Sequence, residues 1–460
     1  MKPRVPIGPR DDDVSPGVRT VRSRRLIAVA VTALSLAAIG IATLRPGDAP
    51  ETALCILCVP TGSRVGVDLV LNILLFVPYG IGLRAMRFRW PAAVAAIVVT
   101  SLAIELLQVD VVTGRHPSAA DVVTNVAGGS IGFALAHRWR LFLASGNIAA
   151  RRLAVAGLAA WVALIVVSAI AATPSFGDGR YLVRWRPSGT SAVRREGRIL
   201  AARVDGGPLP PTPSPSDDPN LDGLRLGQPT RLDVSLLPSD SRGRDVRLEL
   251  ESEGGTTSMW LGQNGNDLIL RVRLRAAEAR LRAPTLRLTN ALAAIDRPTE
   301  DTVALTADVS RQRLRLSSLV AGRRSETELT LGAHLGWSFL LPGRLTLSPF
   351  TRRIADALWL SFLLAPVAYW TRRSTRAGHH AVERGARLRA LVALAACVAI
   401  GLAVVPTLLH VAPIPALGWV GSVVCVLAGW TVGGPSSGAR SFGFSTMRRK
   451  LRWMFRYPQT

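Results

Sequence analysis

The chain is poor in cysteine and in charged residues, and each shortage excludes a class of protein. Only 4 of its 460 residues are cysteine, so a disulfide-rich scaffold is excluded. Charged residues make up 19% of the chain and apolar residues 48%, a balance that excludes intrinsic disorder. Its 41 glycines are far fewer than the third of the chain that a collagen triple helix requires. What remains is a folded protein with an unusually high apolar content.

Motifs of common catalytic and cofactor sites are also missing. The sequence has no G-x-S-x-G nucleophile elbow, no H-E-x-x-H zinc helix and no phosphate-binding P-loop. We therefore predict no cofactor and no metal site, and the sequence leaves an enzyme function uncertain. An acid–base site at Glu105, Arg115 and His116 is conceivable, but the sequence offers no nucleophile or metal to accompany it.

The 56 lysines and arginines outnumber the 31 acidic residues, for a formal charge of +25. Such a chain can bind nucleic acid, but here the basic residues lie at the ends of apolar blocks, so we predict no nucleic-acid partner. The blocks have the length of about 20 residues that crosses a bilayer. The sequence contains eight, at 26–44, 67–83, 92–110, 119–136, 153–172, 354–370, 388–409 and 414–432.

Basic residues also predict how the chain crosses the membrane. Loops rich in arginine stay in the cytoplasm, and arginine is concentrated before the first block, after the second, fourth and sixth, and after the last. Both basic ends, 1–25 and 433–460, are therefore predicted to be cytoplasmic in a plasma (inner) membrane protein, with 174–350 extracytoplasmic. A cleaved signal peptide is the alternative for the first block, although that block is long and lacks a clean small-residue cleavage site.

Segment 174–350 differs from the apolar blocks, because short runs in it alternate apolar and polar residues between turn-forming residues. This pattern is typical of a β-sandwich. The fold class is thus a polytopic all-α membrane bundle of about eight transmembrane helices, with an inserted extracytoplasmic β-sandwich. The Pro/Ser-rich stretch 209–222 is predicted to hold no strand. Strands are predicted at 181–185, 231–236, 245–250, 267–274, 302–308, 314–319 and 326–331.

Two stretches of the insert resemble concanavalin A-like, or laminin-G-like, sandwiches: 256–270 (TTSMWLGQNGNDLIL) and 303–322 (VALTADVSRQRLRLSSLVAG). The resemblance implies a domain that binds glycans or polypeptides, and some such domains bind calcium. No dense set of Asp and Asn ligands for calcium stands out. A sugar site is expected where an aromatic ring lies beside polar groups, at Trp260, Asn264, Asn266 and Asp267. The alternative is a core tryptophan beside a hairpin turn.

Polar residues inside the second, third and fourth blocks need an explanation, because a charge within a span costs about 2.5–3.5 kcal/mol to insert. Each block carries them four or seven positions apart, which places them on one helical face. They are Asp68 and Asn72, then Ser101, Glu105 and Gln108, then Asp121 and Asn125. All lie toward the predicted exterior, where the following loop adds Arg115 and His116. We predict one outward-facing polar pocket with an ion pair between Glu105 and Arg115.

Structural alternatives exist for these residues. Ser118 and Asp121 fit a capping box at the start of the fourth block, and Asp68 fits an interfacial position. The amide side chains of the cluster fit hydrogen bonds between helices. Gly128 and Gly132 form a G-x-x-x-G motif, which is typical of close helix packing.

The same blocks carry a resemblance to a known family. The runs DLVLNILLFVPYG (68–80), IELLQ (104–108), GR (114–115) and DVVTNVAG (121–128) are similar to VanZ-like proteins, over about residues 26–140. The resemblance implies a membrane domain, here 26–172 with five spans, whose first members are linked to reduced glycopeptide antibiotic susceptibility. Its recurrent polar positions correspond to Asn72, Glu105, Gln108, Arg115, Asp121 and Asn125. The insert and the three further spans, 354–432, are additional to that shorter family core.

Two cysteines, Cys55 and Cys58, lie close together in the first predicted exterior loop. A disulfide can form outside the cytoplasm, so a structural bridge or no function is expected. Two thiols alone make an incomplete zinc site, and no βαβ pattern surrounds them as in a redox motif.

Together these predictions describe a non-enzymatic binding protein of the cell envelope. The pocket would hold a polar lipid headgroup or a cell-wall precursor, and the sandwich a glycan or a protein, with membrane lipids as further partners. The alternatives are a membrane enzyme acting on a lipid-linked substrate, a transporter, or a structural anchor for the sandwich. Nothing in the sequence predicts an oligomeric state.

Overall fold

The architecture comes from a computed structural model of the chain. It describes residues 16–44, 65–110, 118–143, 146–176, 181–186, 197–209, 215–216, 221, 223–224, 227–239, 246–252, 255–293, 295, 301–340, 347–375 and 380–434.

Ten α-helices lie within these described residues. They are α1 (Pro16–Thr43), α2 (Val65–Ala85), α3 (Trp90–Asp110), α4 (Ala119–His137), α5 (Trp139–Leu143), α6 (Asn147–Ala171), α7 (Pro349–Ser361), α8 (Leu364–Ser374), α9 (His380–Leu408) and α10 (Ala416–Val432). A 3₁₀ helix, Ala333–Leu340, precedes α7.

Seven helical segments of the described chain are long and apolar enough to cross a membrane. They are α1, α2, α3, α4, α6, α9 and the continuous pair α7–α8, Pro349–Ser374. The count of eight is not confirmed, because the last predicted span forms the 17-residue helix α10, which is shorter than the others. Seven of the eight predicted segments thus form helices that are long and apolar enough to span a membrane.

The described residues between α6 and α7 form two antiparallel sheets of six strands each, in the orders β4-β1-β6-β7-β8-β9 and β12-β11-β10-β5-β2-β3. The strands are β1 (Tyr181–Arg186), β2 (Arg198–Val204), β3 (Gly207–Pro208), β4 (Pro215–Ser216), β5 (Thr230–Leu237), β6 (Arg247–Ser252), β7 (Thr257–Asn264), β8 (Asp267–Val272), β9 (Leu286–Leu288), β10 (Val303–Val309), β11 (Arg313–Val320) and β12 (Arg323–Thr330).

Alternation along the strands builds one core between the two sheets. In β5, Leu232 and Val234 are buried while Arg231 is exposed. These leucine and valine side chains share a cluster with Leu248 and Leu261 of the other sheet. The segment is therefore a β-sandwich-like domain, as its period-2 pattern predicted.

The strand predictions find seven of the twelve strands and miss the long strands β2 and β7 as well as the short strands β3, β4 and β9. All seven predicted strands coincide with β1, β5, β6, β8, β10, β11 and β12. The prediction of no strand in 209–222 is wrong, because Pro215–Ser216 pairs with β1 as Tyr181↔Ser216 and Leu182↔Pro215. Since β4 is an edge strand, its proline need not donate a ladder hydrogen bond.

Contacts divide the chain into two compact units, the first holding α1–α5 and the second holding α6, both sheets and α7–α10. The fifth predicted span was expected to belong to the VanZ-like domain, but as α6 it lies in the second unit. There Trp161 donates a 2.7 Å hydrogen bond from Nε1 to the carbonyl oxygen of Leu360. A Cβ atom at Gly157 would lie only 2.9 Å from Val367, so α6 also packs closely against α8.

Candidate functional site

Helices α2 and α4 pack at backbone contact, and this decides which polar residues meet. A Cβ atom added at Gly80 would lie 1.9 Å from the carbonyl oxygen of Gly129, and one at Gly132 would lie 2.0 Å from that of Val77. Only glycine permits so close an approach. The close packing predicted for Gly128 and Gly132 is therefore confirmed.

Two carboxylates gather at the first turn of α4. Asn72 of α2 donates a 2.9 Å hydrogen bond from Nδ2 to Oδ1 of Asp121. Glu105 of α3 is 7% exposed, and its Oε2 accepts a 2.9 Å hydrogen bond from the backbone N–H of Ser118. The exposed amides and positive dipole end of a helix N-terminus stabilise such carboxylates. The start of α4 thus joins the polar residues of α2 and α3.

The N-terminal cap of α4 differs from the predicted capping box. Ser118 is the N-cap, and its Oγ accepts a 3.2 Å hydrogen bond from the N–H of Ala120. In a capping box the third helical residue, here Asp121, would accept from the Ser118 N–H. Glu105 of the neighbouring helix accepts that hydrogen bond instead. The cap therefore connects two helices.

An amide–hydroxyl pair lies between α3 and α4, about one helical turn from the two carboxylates. Asn125 donates a 2.9 Å hydrogen bond from Nδ2 to Oγ of Ser101. The two residues are 2% and 0% exposed. The carbonyl oxygen Oδ1 of Asn125 is buried and accepts no hydrogen bond from the described part of the chain. Asn125 therefore retains an acceptor that a further group could use.

The two outermost residues of the cluster differ in burial. Gln108 is 3% exposed and donates a 2.9 Å hydrogen bond from Nε2 to the carbonyl oxygen of Thr43, the last residue of α1. Asp68 is exposed in the first turn of α2, which fits the interfacial alternative. Gln108 thereby ties α1 to the cluster.

Four residues singled out from the sequence, Arg115, His116, Cys55 and Cys58, lie outside the described residues. The ion pair between Glu105 and Arg115 and the disulfide therefore stay predictions.

The sequence analysis missed one polar pair, between α2 and α3. The hydroxyl groups of Tyr79 and Thr100 lie 3.0 Å apart. Thr100 directly precedes Ser101, about 100° around α3, so it lies beside the predicted polar stripe and not on it. A threonine can satisfy its hydroxyl within its own helix, as Thr100 does with Ala96, and such residues are easily passed over.

The predicted sugar site of the sandwich is arranged around one outward-facing ring. Trp260 is partly exposed, whereas its neighbours Met259 and Leu261 point into the core. The alternative of a core tryptophan is therefore wrong. The guanidinium carbon of Arg247 lies 5.7 Å from the centre of the Trp260 ring. Asn264 is farther along β7, about 13 Å away at the usual rise of a strand.

The other two residues of that site lie at the β7–β8 turn. Asn266 is exposed, and Asp267 pairs with Asn264 in the strand register. Asp267 accepts 2.9 Å and 2.8 Å hydrogen bonds from the Arg287 side chain and the Asn290 backbone. This arrangement fits the hairpin-turn alternative, and a sugar-binding role of these residues stays a prediction.

The chemistry available in the membrane cluster is hydrogen bonding. The cluster contains three carboxylates, one of them the exposed Asp68, with three amides and several hydroxyls. Within the described ranges, no group of three His, Cys, Asp or Glu side chains could hold a metal ion. The carboxylates and the free carbonyl oxygen of Asn125 favour a ligand that donates hydrogen bonds.

The helices that carry this cluster lie in a region that matches a known protein family. Residues 28–142 match the VanZ/LLP1 family model. That match is one quarter of the chain, and it covers α2, α3, α4 and most of α1. It confirms the VanZ-like resemblance drawn from the polar motifs. Neither a curated protein nor a solved structure matches the chain. The likeness of the sandwich to concanavalin A-like domains therefore stays a prediction.

The apolar helices and the VanZ-like region together describe a multi-pass membrane protein. The VanZ-like region supplies the polar cluster, and the sandwich is held by helices of the second unit.

Proposed function

We propose that the protein binds a polar lipid headgroup or a cell-wall precursor in an outward-facing pocket formed by α2, α3 and α4. In this proposal it lies in the plasma (inner) membrane with both termini in the cytoplasm. The sandwich then faces the exterior and binds glycan or protein. The arginine-rich loops support this orientation, and the VanZ-like region supports a link to glycopeptide susceptibility.

The observation that carries the proposal is the carbonyl oxygen of Asn125. It is buried beside the Ser101 pair, and none of the described residues donates to it. A buried acceptor without a donor costs about 1–3 kcal/mol. A ligand hydroxyl or N–H group that reached Asn125 would remove this cost. The binding energy would then come in part from an acceptor already positioned by helix packing.

The charges around Asn125 indicate what kind of headgroup fits. Glu105 and Asp121 lie toward the end of the cluster, one turn or more from Asn125 along their helices. Two carboxylates disfavour a bare anion and favour hydroxyl, amide or ammonium groups, which donate hydrogen bonds. We therefore expect a headgroup rich in such donors, as in sugar or peptide portions of an envelope lipid.

The test compares ligands retained by the full chain and by an Asn125→Leu variant. Both are purified in mild detergent, incubated with polar lipids and lipid-linked cell-wall precursors, and analysed by native mass spectrometry. The leucine has the same branched shape but no acceptor, so the variant should stay folded and lose the bound species. Because the change also removes the hydrogen bond to Ser101, a loss of about 1–3 kcal/mol in stability is expected. Thr124→Ala is the matched control, because the Thr124 hydroxyl bonds within its own helix to the carbonyl oxygen of Ala120.

If the wild type and Asn125→Leu retained equal amounts of lipid or precursor, the proposed pocket would not be the binding site. Turnover of a lipid-linked substrate that is lost in Glu105→Gln would identify an enzyme instead. Solute flux into proteoliposomes would identify a transporter.

A further inference from the structure

A cavity lies at the opposite end of these helices from the polar cluster. It has a volume of about 820 Å³, which falls in the range of small-molecule sites. Its walls come from the end of α2, the turn into α3, the end of α4 and α5. Since α2, α3 and α4 alternate in direction, the end of α2, the start of α3 and the end of α4 meet here. On α2, Arg84 lies twelve residues, or about 18 Å of helix, from Asn72 of the polar cluster.

The cavity is strongly basic. It is lined by four arginines, Arg84, Arg87, Arg89 and Arg138, and by His137, and among the residues that the structure describes no carboxylate lines it. Indeed, no acidic residue occurs between Asp68 and Glu105 or between Asp121 and Asp178 in the sequence. The arginines therefore create a positive site that an anion would neutralise.

Aromatic rings order one wall of this basic cavity. The guanidinium carbon of Arg84 lies 5.8 Å from the centre of the Phe133 ring. Trp90 meets the same ring edge-on, with ring centres 5.2 Å apart. Stacking on a ring restricts a guanidinium while leaving its N–H donors available. Trp90 and Phe88 are 47% and 38% exposed, as aromatic side chains are at a membrane interface.

The turn that closes the cavity holds an arginine where glycine would be less strained. Arg87 has φ +69°, and its N–H donates to the carbonyl oxygen of Arg84 at the end of α2. The residue after a helix often adopts this left-handed conformation, and it is usually glycine. A side chain retained in such a conformation points to a functional use.

We propose that this basic cavity binds an anionic glycerophospholipid, with the phosphate among the arginines and the acyl chains along the apolar helices. Arginine is the preferred side chain for phosphate oxygens. Basic pockets between transmembrane helices are known to hold anionic headgroups. The site is separate from the outward-facing pocket and does not rest on its function.

The arginines could also be there only because cytoplasmic loops are generally basic. Matched variants distinguish this explanation from lipid binding. Arg84→Gln/Arg138→Gln removes two charges from the cavity. Arg151→Gln/Arg152→Gln removes two from the start of α6, outside the cavity and on the same predicted side of the membrane. The full chain of each variant is titrated in detergent with phosphatidylglycerol and with phosphatidylcholine, and bound lipid is counted by native mass spectrometry.

Wild type and the Arg151/Arg152 control should prefer phosphatidylglycerol. The Arg84/Arg138 variant should lose about 30-fold in affinity for it, since each cationic side chain contributes about fivefold. Arg87→Gly, which relieves the left-handed strain, should keep the fold and lose about fivefold by the same reasoning. Excess inorganic phosphate should not displace the lipid.

Three results would overturn the proposal. They are no preference for phosphatidylglycerol in wild type, an equal loss in the Arg151/Arg152 control, or unchanged affinity in both cavity variants. Displacement by inorganic phosphate would be a fourth, since it would show that the arginines select a phosphate group alone and that the acyl chains add no affinity. Because Asn125 and Glu105 are unchanged in all these variants, a failure here leaves the outward-facing pocket untouched.

Discussion

Replacing Gly80 with alanine is expected to push α2 away from α4. The new Cβ atom would lie 1.9 Å from the Gly129 carbonyl oxygen, whereas a carbon–oxygen contact needs about 3.3 Å. The helices must therefore separate by about 1 Å or rotate. Overpacking of this kind costs about 1–3 kcal/mol, and alanine returns up to about 1 kcal/mol of helix propensity. The expected net loss is about 1–2 kcal/mol.

The separation should also reach the polar cluster. The hydrogen bond between Asn72 and Asp121 crosses the same helix pair at 2.9 Å. Hydrogen bonds of this type weaken beyond about 3.2 Å, so a shift of about 1 Å would break it. Gly80→Ala is therefore expected to reduce the ligand retained by the outward-facing pocket, although Gly80 bears no polar side chain.

Thermal unfolding of the full chain in detergent, followed by far-UV circular dichroism, measures the loss. A drop of about 3–6 °C in Tm is expected for the unit that holds α1–α5. Gly40→Ala is the matched control, since a Cβ atom at Gly40 meets nothing within 4 Å. Identical unfolding temperatures for Gly80→Ala and Gly40→Ala would refute the reasoning.

Two further predictions concern the sandwich-bearing unit. Burial lowers the pKa of His334 from 6.5 to about 4, so between these values the unfolded chain binds a proton that the folded chain does not. The free energy of unfolding should fall by up to about 3 kcal/mol as the pH drops through this window. In His334→Gln the dependence of this free energy on pH should be flatter. An equally flat dependence in the wild type would contradict the lowered pKa of His334. In a background without the four native cysteines, a cysteine replacing the exposed Arg324 of β12 should react with a membrane-impermeant maleimide in intact cells, and one replacing Arg151 should not. The reverse pattern would place the sandwich inside.

Much of the secondary structure was predictable because it depends on local pattern. A long apolar run must satisfy its backbone within a helix when it lies in a membrane, so seven spans followed from composition alone. Alternation predicted β5, because Leu232 and Val234 can reach the core only from one face of the strand. The two-residue strand Pro215–Ser216 was not predictable, since it exists only through its pairing with β1.

The candidate site was also predictable only as far as it depends on local spacing. Spacing of four and seven residues placed Asn72, Glu105 and Asn125 on single helical faces. Which faces meet depends on helix rotation, and that is set by the glycine contacts between α2 and α4. Hence the hydrogen bond that Glu105 accepts from the backbone N–H of Ser118 was not predicted, and the ion pair of Glu105 with Arg115 stays a prediction.

Local chemistry thus decided the membrane-crossing segments, the strand faces and the polar stripes, because apolar length and residue period act within a few turns of the chain. Three-dimensional packing alone decided that α6 joins the second unit and that four arginines line one cavity. It also decided that none of the described residues donates to the buried carbonyl oxygen of Asn125. These features depend on side chains far apart in sequence, whose distances are set only when whole helices pack together.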